Sequence, residues 1–190
     1  MNARIEKYLV AYNYIQLFGW ICVLAALIFS QTKLFYILCF VQTFALLEIV
    51  HTLFKWIKSN FIFTFLQIGA RVLMLVIVSH LHIEKGFLND SLLNPFTIFK
   101  IMTLAWCIAE IIRSSYYLKR QSNLITWSRY NAFIICYPIG VTSELYLIYS
   151  LAINKSKLSV TIALILLTIA YFIVFPSLYL HLLKQRKLKV

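Results

Sequence analysis

Tyr137 and Glu144 stand seven residues apart in the apolar run Tyr137-Pro138-Ile139-Gly140-Val141-Thr142-Ser143-Glu144. A phenol and a carboxyl group can each exchange a proton with a bound molecule. In a helix, seven residues turn about 700°, roughly 20° short of two turns, so both side chains face one way about 10 Å apart along the axis. Two inward-reaching side chains can close that gap around a short segment of substrate. Pro138 removes a backbone donor and Gly140 removes a side chain, so a kink or a close approach is expected between them. A Pro and a Gly alone would be ordinary helix irregularity. Together with a Tyr and a Glu they mark a candidate site.

Other ionisable groups lie in similarly apolar surroundings. Glu48, Glu110 and Glu144 are half of the 6 acidic residues, and Arg71 and Arg113 join them. Charge inside a membrane is costly and marks function by default. Glu110 and Arg113 are i,i+3 neighbours that can neutralise each other, and they read as a structural pair. Glu48 with His51 (i,i+3) and Gln67 with Arg71 (i,i+4) share helix faces, and both site-lining and packing roles fit them. Arg71 lies about 15 Å into its helix at 1.5 Å per residue. Together these groups could line a cavity open to the cytosol. That shape suits a ligand with a polar head and an apolar tail.

The elements that must carry these residues follow from composition. The chain has 190 residues, is 62% apolar and only 13% charged. A soluble domain is about half apolar and about a quarter charged, so a soluble domain and a disordered chain are both excluded as leading readings. Six apolar runs are legible: Tyr8–Phe29, Leu34–Phe54, Phe61–Leu81, Pro95–Leu118, Tyr130–Leu151 and Ser159–Leu183. Each is long enough to span a bilayer as a helix. The expected architecture is all-α, a polytopic membrane protein with six transmembrane helices in one bundle and residues 1–190 as a single domain. The first run exceeds a signal-peptide core and lacks a following cleavage site, so it reads as a retained span. Basic residues set the orientation. Eleven flank one side (Arg4, Lys7, Lys55, Lys58, Lys119, Arg120, Arg129, Lys184, Arg186, Lys187, Lys189) and four the other (Lys33, Lys85, Lys155, Lys157). Both termini are therefore expected in the cytosol. The net charge of +12 belongs to this pattern and not to nucleic-acid binding. The basic tail can serve as a stop-transfer anchor or meet anionic lipid headgroups.

Several chemistries are excluded. The four Gly are too scattered for a nucleotide-binding loop. The histidines do not form the clusters of a di-iron site, and no Cys pair forms a C-x-x-C. The cysteines read as small buried apolar residues.

At these residues the sequence resembles the very-long-chain (3R)-3-hydroxyacyl-CoA dehydratase family, also called the protein-tyrosine-phosphatase-like family. The resemblance runs through Tyr12-Asn13, Gly19-Trp20, Leu47-Glu48-Ile49-Val50-His51 and Gln67-Ile68-Gly69-Ala70-Arg71. It continues in Trp106-Cys107-Ile108-Ala109-Glu110-Ile111-Ile112-Arg113, Arg129-Tyr130, and Tyr137-Pro138-Ile139-Gly140-Val141 through Glu144. It implies a hydro-lyase of the endoplasmic reticulum membrane that performs the third step of fatty-acid elongation. It implies a catalytic pair at Tyr137 and Glu144, with Glu48, Gln67, Arg71, Arg129 and Gly140 at positions that support activity or bind substrate. The phosphatase part of the family name finds no support. A tyrosine phosphatase needs Cys-x5-Arg, and Cys136 is followed at that offset by Thr142. The C-terminus is not a plain dilysine retrieval signal, so retention in the endoplasmic reticulum rests on the family.

The implied reaction removes a proton from C2 and hydroxide from C3 of a 3-hydroxyacyl-CoA, which needs a base and an acid. Tyr137 as acid with Glu144 as base is one assignment, and the reverse is open. A donor to the thioester oxygen would stabilise the enolate-like transition state, with Gln67, Arg71 and a backbone N–H near Pro138 as candidates. CoA phosphates would meet Arg129, Lys119 and Arg120. No metal or redox cofactor is required. The expected partners are the long-chain acyl-CoA substrate, the bilayer, and the elongase and reductases of the cycle. The main alternative is a lipid-binding or scaffold protein that kept the fold without the chemistry. A transporter is a third reading, but no duplicated half is evident.

Overall fold

A computed structural model describes residues 3–57, 59–85, 94–118, 122–154 and 158–189. Among these residues the only regular structure is helical: α1 (Ala3–Phe29), α2 (Gln31–Ala45), α3 (Leu47–Leu53), α4 (Phe61–Lys85), α5 (Pro95–Leu118), α6 (Asn123–Asn131), α7 (Phe133–Asn154) and α8 (Leu158–Lys189). Six helical stretches are long and apolar enough to cross a membrane: Ala3–Phe29, Lys33–Leu53, Phe61–Leu81, Pro95–Leu118, Asn123–Ile153 and Leu158–Lys184. They match the six runs read from the sequence. Large apolar side chains stand exposed along them, such as Phe29 at 85% and Phe172 at 69%. A water-soluble surface rarely presents so much contiguous apolar area, whereas lipid requires it.

Two of the spans are interrupted. The second pauses at Leu46, where Leu46 N–H donates to the Thr43 carbonyl and Ile49 N–H to the Leu46 carbonyl. Those three-residue spacings tighten the helix just ahead of Glu48. The fifth span starts seven residues before the sequence-based boundary of Tyr130 and turns at Ala132, between α6 and α7. The irregularity expected at Pro138 therefore lies upstream of it, and α7 runs on through the proline.

α3 ends in a tight cap. Lys55 has φ 56°, Lys55 N–H donates to the Thr52 carbonyl and Trp56 N–H to the His51 carbonyl. This is the Schellman arrangement with Lys in the position usually held by Gly. It folds the Trp56 ring back onto His51, with ring centres 5.7 Å apart.

Packing divides the chain into two compact units. The first comprises Met1–Leu73 and Cys107–Arg129, the second Met74–Trp106 and Tyr130–Val190. In the first, Trp20, Val23, Leu34, Leu38 and Cys107 are fully buried. A Cβ on Gly19 would lie 3.0 Å from Val41, so α1 and α2 approach closely where the glycine stands. In the second, Met74, Val78, Phe99, Met102, Leu147 and Ile148 form the core, and α8 packs on α7.

Candidate functional site

The first unit gathers most of the intramembrane charge. Glu48 on α3, Arg71 on α4 and Glu110 on α5 are buried, and Arg113 reaches them from one turn beyond Glu110. Arg71 Nη1 donates to Glu110 Oε1 at 2.5 Å. Arg113 Nε donates to Glu110 Oε2 at 2.7 Å, and the same guanidinium is paired with both oxygens of Glu48. Tyr12 Oη donates to Glu48 Oε1 at 3.1 Å, and Gln16 Nε2 donates to Tyr12 Oη at 2.8 Å. The i,i+3 pair of Glu110 and Arg113 is thus present as the spacing suggests. Glu48 and His51 share a turn but bond elsewhere: His51 Nε2 meets the Tyr8 hydroxyl at 2.9 Å. The Arg71 guanidinium also lies over the Trp20 ring, 5.9 Å from its centre. Two carboxylates and two guanidiniums cancel, and each charge bonds to an opposite one. Such a network orients helices against one another.

Gln67 and Arg129 stand apart from that cluster. Gln67 is exposed on α4. Arg129 ends α6 and lies over the rings of Tyr116 and Tyr117, at 4.6 and 5.0 Å, with a 3.3 Å hydrogen bond to the Tyr117 hydroxyl. Lys119 and Arg120, the other expected phosphate contacts, lie outside the described residues, as do Lys58, Lys155, Lys157 and most of the stretch 82–94.

The second unit holds Tyr137 and Glu144, both on α7. Glu144 is buried, and the Trp106 indole on α5 donates from Nε1 to Glu144 Oε1 at 2.9 Å. Gly140 lies one turn before Glu144, and a Cβ there would sit 3.9 Å from Trp106 Cδ1 and Nε1. A methyl group would fit there in ordinary contact with the indole. Thr142 Oγ1 donates to the Pro138 carbonyl at 2.8 Å and Ser143 Oγ to the Ile139 carbonyl at 2.7 Å, so these hydroxyls are satisfied within α7.

Aromatic stacking fixes Tyr137. Its ring lies nearly parallel to Phe175, with centres 5.0 Å apart, and to Tyr179, at 6.0 Å. Phe133 meets Tyr179 edge-on at 5.8 Å. Phe133 and Tyr137 on α7 therefore match Tyr179 and Phe175 on α8 in antiparallel register. Tyr171 lies a further turn back along α8. The phenols of Tyr137 and Tyr171 both interact electrostatically with the Glu144 carboxylate. Sequence reasoning had Trp106 only as part of a matching block and missed Tyr171, although Tyr171, Phe175 and Tyr179 recur every four residues in span six.

An indole N–H can only donate, and a phenol donates readily. A carboxyl ringed by such groups is held as an acceptor. Next to a second phenol on the same helix face, it can take a proton from a bound molecule while the phenol gives one.

Comparison with known proteins gives this geometry a context. Residues 42–190 match the family model described as "Protein tyrosine phosphatase-like protein, PTPLA". Human "Very-long-chain (3R)-3-hydroxyacyl-CoA dehydratase 2" is 34% identical over 95% of this chain and 79% of its own length. Mouse "Very-long-chain (3R)-3-hydroxyacyl-CoA dehydratase 1" is 35% identical over 78% of this chain and 57% of its own length. A Schizosaccharomyces pombe protein named "Probable very-long-chain (3R)-3-hydroxyacyl-CoA dehydratase" is 30% identical over 95% of this chain and 91% of its own length. No solved structure matches the chain significantly. With more than half of its residues matched by the family model and a 34% identical relative aligned over 95% of it, this chain belongs to the protein tyrosine phosphatase-like family.

Proposed function

We propose that the chain is a membrane-embedded hydro-lyase that dehydrates 3-hydroxyacyl-CoA to trans-2-enoyl-CoA in very-long-chain fatty acid elongation. The names of its relatives support the reaction. The observation that carries the site is the Trp106–Glu144 hydrogen bond at 2.9 Å, on the same helix as Tyr137. Glu144 Oε1 accepts from the indole, an arrangement that favours the ionised carboxylate. This supports Glu144 as the base and Tyr137 as the acid. Glu144 takes the C2 proton, and the C2–H electrons move toward the thioester. The C3–O bond then breaks, and the phenol proton of Tyr137 leaves with that oxygen as water. A proton passed from Glu144 to the Tyr137 phenolate restores both groups.

In this reading the acyl chain lies among apolar helices and the CoA phosphates meet basic residues on the cytosolic side, Arg129 among them. Glu48 and Arg71 support the site by fixing helices. Gly140 supports it by admitting the Trp106 indole. Gln67 keeps a substrate-binding role at an exposed position on α4. The protein resides in the endoplasmic reticulum membrane with both termini cytosolic, close to the elongase and reductases that make its substrate and use its product. Glycosylation-site tagging that places residues 82–94 in the cytosol would reverse this orientation. The activity is tested by incubating detergent-purified protein with a 3-hydroxyacyl-CoA and following 2-enoyl-CoA. Formation of the enoyl product is expected. Tight binding without product would favour a scaffold or lipid carrier.

A further inference from the structure

A CoA thioester carries its phosphates at the far end of a flexible pantetheine arm. A cation that recognises them must stand well away from the acid and the base, and outside the apolar span. The second unit, which holds Tyr137 and Glu144, carries such a group on α8.

Helix α8 runs on to Lys189, whereas its apolar span ends at Lys184. The stretch beyond that span is still helix, and it carries Arg186, Lys187 and Lys189. No Asp or Glu follows Glu144 in the sequence. Among the described residues, Arg186 enters no ion pair.

The stacked rings show which cation shares the side of α8 that meets Tyr137. Phe175 and Tyr179 both stack on Tyr137, at 5.0 and 6.0 Å, so that side persists across Pro176. Arg186 comes seven residues after Tyr179. Seven residues turn the helix about 700°, roughly 20° short of two turns, and advance it about 10 Å. Arg186 therefore lies on the face of Phe175 and Tyr179. Lys184, five residues after Tyr179, lies about 140° round the helix and is exposed. Phe133, the first residue of α7, meets Tyr179, so Arg186 projects past the start of α7. It is half-buried there.

We propose that Arg186 is a substrate-binding residue whose guanidinium pairs with a phosphate of CoA while the thioester lies at Tyr137 and Glu144. This rests on the dehydratase reading above and on its cytosolic C-terminus, and it adds a residue of the second unit to Arg129 of the first. A guanidinium binds phosphate by charge-assisted, often bidentate, hydrogen bonds. The phosphate is remote from the bonds that break, so the contact is equally strong before and during the reaction. It lowers KM and leaves kcat unchanged. Lys184, on the far side of the helix, is left to anionic lipid headgroups.

The experiment uses full-length protein in phosphatidylcholine nanodiscs, with and without phosphatidylserine. The substrates are a 3-hydroxyacyl-CoA and the same acyl thioester of pantetheine, which has no phosphate. Arg186→Gln is expected to raise KM for the CoA substrate by about tenfold in both lipids, with kcat within about twofold. On the pantetheine thioester it should match wild type. Arg186→Lys keeps the charge without the fork and should recover part of the loss. Lys184→Gln should match wild type on both substrates. Titration calorimetry with free CoA needs no turnover and should show the same weakening for Arg186→Gln. Thermal melts report folding. If wild-type protein turns over substrate and Arg186→Gln keeps its KM for the CoA substrate, the phosphate contact is overturned and the dehydratase reading stands. An equal rise in KM on both thioesters overturns the contact, because the loss then has nothing to do with phosphate. A rise seen only with phosphatidylserine also overturns it, in favour of a lipid headgroup. If Arg186→Gln weakens CoA binding but wild-type protein forms no enoyl product, the contact stands and the dehydratase reading falls. If wild-type protein neither binds CoA nor dehydrates the substrate, both fall.

Discussion

Two polar clusters lie among these apolar helices, and they are built on different rules. In the first unit, Glu48, Glu110, Arg71 and Arg113 form an alternating chain of opposite charges, each bonded to the next. In the second, neutral donors reach a buried carboxyl group: Trp106 by a hydrogen bond, Tyr137 and Tyr171 by proximity. A cluster whose charges cancel is at rest, because any proton movement would leave a guanidinium or a carboxylate uncompensated. A carboxylate held by neutral donors can gain a proton without that cost. A count of intramembrane charges weights the first cluster more heavily. The kind of partner points to the second for chemistry.

The comparison breaks most visibly if the two clusters respond alike. Tyr137→Phe and Glu144→Gln should each lower turnover by about 10²–10⁴-fold, the range for a single acid–base group, while the melting temperature stays close to wild type. The double variant should be little worse than either single one, because both groups serve one transition state. Near-normal dehydration by either variant would remove that residue from the mechanism.

The opposite profile is expected in the first unit. Glu110→Ala strips Arg71 of its carboxylate and leaves Arg113 with Glu48 alone. Breaking a buried pair in this way typically costs about 3–5 kcal/mol. The melting temperature should fall sharply, while the fraction that remains folded turns over substrate at a rate within several-fold of wild type. A well-folded Glu110→Ala protein with no activity would move Glu110 into the catalytic machinery and dissolve the distinction.

How much of this could be read from residues alone depends on the range of the interaction. The six spans were legible because a bilayer demands long apolar runs, and the structure returns them with small shifts at the ends. Glu110 with Arg113 was legible because i,i+3 is fixed by the helix itself. The common face of Tyr137 and Glu144 was legible for the same reason. Contacts between helices were not. Arg71 and Glu110 lie 39 residues apart, and nothing local says that Arg71 meets Glu110 and not its i,i+4 neighbour Gln67. Tyr171 sat in an apolar run whose aromatic spacing reads equally as lipid-facing or packed. The turn at Ala132 was also hidden, because Pro138 is the conspicuous breaker and the helix yields upstream of it.

Gly140 gives a finer test of how the second cluster is held. On the proposed reading it leaves space beside the indole, so substituents should be graded by size. Gly140→Ala adds a Cβ at 3.9 Å from Trp106, an ordinary contact. It should retain most activity and can gain up to about 1 kcal/mol of helix stability. Gly140→Leu must displace the indole and break its bond to Glu144. Turnover should then fall by roughly tenfold or more, the scale of about 1.4 kcal/mol in the barrier. Equal losses for Ala and Leu would mean that the backbone at Gly140, and not the room beside it, is what matters.

Arg129 should show the smallest effect and a different kind. Its guanidinium rests on Tyr116 and Tyr117 by cation–π contact, with Nη2 donating to the Tyr117 hydroxyl. A bidentate guanidinium–phosphate contact made equally before and during the reaction lowers KM without raising kcat. Arg129→Ala should therefore raise KM by roughly tenfold, about 1.4 kcal/mol, with kcat within about twofold. Arg129→Lys keeps the charge but not the fork, and should fall between the two. Added salt should narrow the gap between wild type and Arg129→Ala, because an exposed ionic contact is screened. Steady-state kinetics at two ionic strengths checks all three statements. A large fall in kcat at unchanged KM would put Arg129 with Tyr137 and Glu144 in the chemical step and not in substrate binding.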